Sequence, residues 1–222
     1  MARWMALLLI VVGLALPGCS SKKSLIQLRE EGQNHLDRNR YREAQLSFAQ
    51  VLEVKPEDAV ANYGVGRALL AQGDPLRART HLEIAYQQSS HNPGLTFEIG
   101  TALAEAMALS GDKQGMVLFL RDAAQSRGEV RDYILWGDMA ARYGDPDSAE
   151  LAYRTAVRIE RTPTVLPYWK LAMFYESIGK TEAATHRFRQ AYAIEPDNPQ
   201  VIEKLESYYA VVGPSLKIAP DR

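Results

Sequence analysis

From residue 25 onward, apolar positions recur with a spacing of three to four, interrupted at near-regular intervals by a turn. In the first stretch Leu28, Gly32, His35 and Leu36 fall on one helical face; past a break at Asn39, so do Ala44, Phe48, Val51 and Leu52. The layout then returns. Gly32 and Asn39, Gly66 and Gly73, Gly137 and Gly144, and Ala172 and Gly179 each lie seven positions apart. Five positions after each pair stands an alanine (Ala44, Ala78, Ala149, Ala184), and seven further a small or branched apolar residue (Val51, Ala85, Ala156, Ala191). One spacing set recurring in this way predicts an array of one helical unit, stacked on copies of itself.

The punctuation says how each unit is built. Gly73-Asp74-Pro75 and Gly144-Asp145-Pro146 put a residue free to turn left-handed at the end of one helix, a capping carboxylate at the start of the next, and a proline in its first turn. Each unit therefore reads as helix, tight turn, helix. Units fall near residues 25–58, 59–92, 93–129, 130–164 and 165–198, with a capping helix at 199–212. The third is irregular: Gly100 and Gly111 are 11 positions apart, and Met116 stands where the others have alanine, which fits an added turn in its first helix. Glycines of the first helix are expected to face the alanines of the second. Phe48, Leu82, Leu120, Tyr153 and Phe188 are expected to fill the space between units. The cap carries Val201, Ile202, Leu205 and Tyr208 on one side, and residues 213–222 read as a loose tail.

The first 18 residues follow a different pattern. Arg3 precedes an apolar run over residues 5–16, shorter than the roughly 20 residues that a membrane span needs and suited to the hydrophobic core of a secretory signal. It ends at Leu16-Pro17-Gly18-Cys19. These residues resemble a bacterial lipoprotein lipobox, with Pro17 departing from the pattern; the alternative is an ordinary secretory signal beside a chance cysteine. The resemblance implies that residues 1–18 are removed, that Cys19 is lipidated, and that residues 19–24 form a tether. Ser20 after the cysteine points, by the same resemblance, to the outer membrane facing the periplasm. Cys19 is the chain's only cysteine, so no internal disulfide or multi-thiolate zinc site is possible. The net charge of −1 gives no electrostatic case for nucleic acid as a partner.

The repeat resembles the tetratricopeptide family, whose period is 34 residues. The resemblance covers about residues 25–210 and implies an all-α, right-handed α-solenoid of five helix-turn-helix units plus a C-terminal capping helix. Pro56 and Pro196 match the proline closing the family motif, which the second, third and fourth units lack there. In that family the first helix of each unit lines a concave surface, through its second, fifth, ninth, twelfth and thirteenth positions. The fifth positions here are Arg29, Tyr63, Phe97, Ile134 and Trp169; the ninth are Gln33, Arg67, Thr101, Asp138 and Met173. These ten form the expected partner-binding groove for a protein or peptide. Large aromatics on an open concave surface suggest apolar anchors for an extended segment or amphipathic helix. The other reading packs the rings on neighbouring helices or the chain's own tail. Some members clamp a terminal carboxylate; Arg29 could serve in such a clamp, but Gly64 and Gly94 stand where its other residues would be.

No arrangement of residues points to catalysis, a metal or a cofactor. His35, His81, His91 and His186 are scattered over different units with no metal-ligand spacing, and Gly64-Val65-Gly66 lacks the lysine and hydroxyl of a phosphate loop. Lipobox plus tetratricopeptide units resembles the pilotins of type IV pili and the lipoproteins of tight-adherence pilus systems, which help to build or localise an outer-membrane secretin. That resemblance implies a membrane-anchored interaction scaffold in the bacterial envelope, held at the membrane through lipid at Cys19, rather than an enzyme. The alternative is a regulator or accessory subunit of a cell-wall or outer-membrane enzyme.

Overall fold

The computed structural model describes residues 23–209 and 211–221. The expected signal at 1–18, the lipidation site Cys19 and the tether as far as residue 22 lie outside them. Eleven α-helices and no strand occur among the described residues: α1 Leu25–Asp37, α2 Tyr41–Val54, α3 Ala59–Ala71, α4 Pro75–Gln88, α5 Pro93–Leu109, α6 Lys113–Arg127, α7 Val130–Tyr143, α8 Pro146–Ile159, α9 Val165–Ser177, α10 Thr181–Ile194 and α11 Pro199–Glu206. None is long and apolar enough to cross a membrane.

Local chemistry sets these boundaries. Asp74 and Asp145 accept from the backbone N–H of Arg77 at 3.1 Å and Ser148 at 3.0 Å, with Pro75 and Pro146 opening α4 and α8. Before α5 the same work falls to Asn92, and before α6 to Asp112. The preceding helices end in left-handed residues, Gly73 at φ 78° and Gly144 at φ 89°; in the first unit Asn39 takes this conformation at φ 57°.

Each helix packs on its neighbours in sequence. The first helices of successive units also touch one another in series, α1 on α3, α3 on α5, α5 on α7 and α7 on α9, while the second helices make no comparable direct contact. In a stacked array the row whose members lie closer together is the inner one. The first helices therefore line the concave side and the second helices the convex side.

The alanines Ala44, Ala78, Ala149 and Ala184 are completely buried. The nearest neighbours of the glycines, however, are not these alanines. A Cβ at Gly32 would lie 2.7 Å from the Phe48 ring, one at Gly66 within 2.5–2.7 Å of Leu82, and one at Gly137 2.6 Å from Tyr153. The glycine is a socket for the large residue one turn after the alanine, so the two sets of small residues serve different contacts. Phe48 fills two sockets, because Gly64 on α3 presses on its other side.

The third unit carries the added turn: α5 has 17 residues against 13 in α3. Its glycine lies against a different ring, since a Cβ at Gly100 would be 3.2 Å from Tyr86 of the preceding unit. The junction to the fourth unit is held by a buried ion pair. Arg127 donates to both carboxylate oxygens of Asp132, at 2.9 and 2.8 Å, and to the Tyr86 hydroxyl at 3.1 Å.

His81 on α4 lies half-buried with its Nδ1 2.9 Å from Oδ1 of Asn62 on α3. Burial, with help from nearby Arg77, pushes its pKa below the ordinary value of 6.5. The unfolded chain therefore takes up this proton first as pH falls, and folding loses stability below about pH 6.5. Carboxylates whose pKa values are lowered in the fold, such as Asp58 and Glu150, cost stability only below their ordinary values of 3.8 and 4.5 and lie outside this window. Urea melts at pH 7.5 and 5.5 should show a fall in midpoint, and His81→Gln should shrink it. An unchanged fall in the variant would assign it elsewhere.

The C-terminal part departs from expectation in two ways. The capping helix is shorter than 199–212 and ends at Glu206. Tyr208 then stacks on Phe188 with centroids 6.1 Å apart and donates to Glu176; burial and this contact push its phenol up to about 12. The tail is not loose: it crosses the outer face of α10. The backbone oxygen of Leu216 accepts from Arg189 Nε at 2.7 Å, and Asp221 pairs with Arg187. Polar side chains of α10 that alternation alone would leave to solvent hold it there.

Candidate protein-interaction groove

Three hollows follow one another along the first-helix face. One of about 480 Å³ lies over units one to three and is lined by Tyr63, Arg67, Glu98, Thr101 and Glu105. The next, about 350 Å³, is lined by Phe97, Arg131, Ile134, Leu135, Asp138 and Leu166. The third, about 250 Å³, lies between Leu166, Trp169 and the start of α11 at Gln200 and Val201.

Of the ten groove residues read from the sequence, Tyr63, Arg67 and Thr101 meet in the first hollow, Phe97, Ile134 and Asp138 in the second, and Trp169 lines the third. Arg29, Gln33 and Met173 line none of them. Arg29 is committed elsewhere: its Nε donates to Asp58 at 3.1 Å and its Nη2 to the other carboxylate oxygen. Asp58 also accepts from the N–H of Ala61 at 3.0 Å, capping α3. Burial would raise the Asp58 carboxyl, but Arg29 and this N–H outweigh it and hold it below the ordinary carboxylate range. A guanidinium spent on a buried helix cap is a poor clamp for a partner's terminus, so Arg29 is a structural residue.

The aromatic rings do not stand free. Tyr63 is half-buried under the Arg67 guanidinium, 5.5 Å from its centroid, and burial pushes its phenol up. Phe97 is half-buried under Arg131 at 4.8 Å, and Trp169 meets Phe188 edge-on at 5.2 Å. Ile134 is 7% exposed and forms a floor rather than an anchor, because α7 turns that face toward the core. The reading that rings pack on neighbouring helices thus describes part of each ring, and the tail covers none of these hollows. Asp138 accepts from the Tyr153 hydroxyl at 2.6 Å and from Lys170 Nζ at 2.8 and 3.0 Å, so its charge is already balanced.

Of the mapped apolar residues only Met173, at 38%, is exposed; the other open apolar elements of this face lie outside the fifth and ninth positions. Leu166 is 52% exposed and lines two hollows; Ile26 and Val60, at the same second position of their units, are also exposed. Arg131 occupies that position in the fourth unit. Mapping the second position, already expected to face inward, would have found them. The repeat period is visible in the contacts as well: Gln33 with Arg67 and Phe97 with Arg131 are each 34 residues apart.

Profiles described as Tetratricopeptide repeat match residues 29–93 and 167–198. The fold is a helical solenoid like those of tetratricopeptide-repeat proteins. Among solved structures it is similar to the MamA protein (19% identity, covering 86% of this chain and 98% of that one, TM-score 0.57). It is also similar to TTC0263 of Thermus thermophilus, a thermophilic tetratricopeptide protein (20% identity, 85% and 100% covered, TM-score 0.51). YrrB, described as having an unusual peptide-binding site, shares 16% identity over 84% of this chain and 94% of its own, with a TM-score of 0.53. At these identities the likeness is one of fold. No curated protein matches the chain. The three hollows lie along the face formed by the first helices.

Proposed function

We propose that this protein is a membrane-anchored interaction scaffold that holds a protein or peptide partner in its concave groove, as an assembly or localisation factor for an envelope complex such as a pilus or secretin. The observation that carries the reading is the series of hollows on the first-helix face, each combining a half-buried aromatic or Leu166 with polar groups at its rim. An apolar centre beside oriented polar side chains is the usual composition of a peptide-binding surface. A partner segment extended along the face would place apolar side chains over Phe97 and Leu166, and its charged groups beside Arg67 and Arg131. YrrB, of similar fold, carries a peptide-binding site by description, which supports the same use of this frame.

The anchor belongs to the proposal: lipid at Cys19 would leave few residues between the membrane and α1 and hold the first unit close to the bilayer. Pull-down from detergent-solubilised membranes tests the groove, comparing the natural chain with Phe97→Ala and Trp169→Ala. Loss of a shared partner from both variants supports it; retention of every partner by both rejects it. Fractionation of Cys19→Ala tests the anchor, which is wrong if that variant stays with the membrane.

A further inference from the structure

The convex side of the solenoid carries a cleft of about 560 Å³ between α8 and α10, bordered by Arg154 and Arg158 of α8, Arg187 of α10, and Asp221 of the tail. The groups that hold the tail here also hold one another. Gln190 is 1% exposed. Its Oε1 accepts from Arg187 Nη1 at 2.8 Å, which fixes both side chains. Its amide then donates to the backbone oxygen of Ala219 at 3.0 Å and to Oδ1 of Asp221 at 2.8 Å, while Arg187 pairs with the other carboxylate oxygen. The Tyr168 hydroxyl, itself buried, reaches the Asp221 carbonyl at 3.5 Å.

The ligand is far less embedded than its receptor. No described residue of 211–221 is fully buried, and only Val212 and Leu216 pack partly buried against the core. Polar contacts near solvent with little apolar burial give a segment low local stability. With Asp221 gone, the cleft would hold three arginines against two carboxylates, Asp147 and Glu150. Glu150 is already engaged by Lys180 at 2.8 Å and by Tyr175 at 3.1 Å. The net preference is for an anion.

We propose that the α8–α10 cleft is a second peptide site, separate from the concave groove, which reads a carboxylate side chain two residues after a backbone carbonyl and is masked in the resting chain by the protein's own residues 213–221. Its ligand is an extended acidic peptide with the layout of Ala219-Pro220-Asp221. Proline suits the middle position because no N–H is required of it there. A partner carrying such a segment would displace the tail and bind on the convex face without touching the groove.

The probe is a fluorescent peptide of residues 216–222 with blocked ends, titrated against full chains by anisotropy. Asp221→Lys in the protein sets a cation beside Arg187 and should free the cleft. This variant should bind the peptide at least about tenfold more tightly than the natural chain, the range expected when a charged hydrogen-bonding site is opened. Adding Arg187→Glu to it should abolish binding, and an Asp221→Asn peptide should bind at least tenfold more weakly. Equal binding to the natural chain and the variant, binding insensitive to Arg187, or no binding to either overturns the proposal. Hydrogen exchange on the natural chain provides a test independent of any variant's folding. Tail amides should exchange by local opening, well before those of α10; exchange of both together, only on global unfolding, would also overturn it.

Discussion

Replacing Arg127 by alanine should cost about 3–5 kcal/mol of stability, the range seen when one member of a buried ion pair is removed. Its partner Asp132 has a side chain only 1% exposed, and no other cation pairs with it among the described residues. Without the guanidinium, that carboxylate must remain buried and unpaired, take up a proton, or pull α7 outward toward water. Arg127 also donates to Tyr86, whose ring meets Phe119 at 5.0 Å, so one side chain joins α4, α6 and α7 across the irregular third unit. A solenoid is stabilised unit by unit through neighbouring interfaces. Urea unfolding of Arg127→Ala should therefore show a lower midpoint and a broadened or divided transition, as the first three units part from the last two. Exchanging both members for apolar residues, Arg127→Met with Asp132→Leu, should recover most of the loss, because no charge is then left buried. A single variant within 1 kcal/mol of the natural chain would show that the pair is not the junction described here.

Phe48→Ala should cost a similar amount, about 3–5 kcal/mol, as transfer and cavity contributions add. The ring is 1% exposed and lies between two glycines on different helices, Gly32 on α1 and Gly64 on α3. This arrangement makes a sharper prediction than the loss alone. In the natural chain Gly64→Ala should destabilise by about 1–3 kcal/mol, because its methyl would overlap the ring and the packed unit has no room to yield. In the Phe48→Ala background the same methyl enters the vacated space and should be neutral or stabilising. A double-mutant cycle measures the difference; additive effects would mean that the ring does not fill the glycine sockets.

Much of this fold can be read from the chain. Spaced glycines, completely buried alanines and the Gly-Asp-Pro turns each follow from local backbone chemistry, which needs no knowledge of distant contacts. The extra turn of α5 was equally visible, as a gap between Gly100 and Gly111. What was not visible depends on helix rotation and on residues far apart. Gly32 and Ala44 both looked like one close-packed seam, but the helices turn so that the glycine receives Phe48 instead. Arg29 sat at a position that lines the groove, and only the cap of α3, 29 residues on, shows where its guanidinium goes. Tyr63, Phe97 and Trp169 were found by position, but Arg67, Arg131 and Phe188 cover part of each ring. Leu166 stands at the second position of its unit, which a mapping of the fifth and ninth positions leaves out. The docked tail is hidden because Gln190 reads as an ordinary surface amide until Asp221 is seen against it.

The central claim is that partners engage the first-helix face. Photo-crosslinking in living cells tests it with a matched pair of exposed leucines, Leu166 on the concave side at 52% exposure and Leu46 on the convex side at 66%. A photoreactive residue at position 166 should give a discrete higher-mass adduct that Phe97→Ala weakens, and the same residue at position 46 should give none. An adduct from position 46 and not from 166 would place the binding surface on the opposite side of the solenoid and contradict the account.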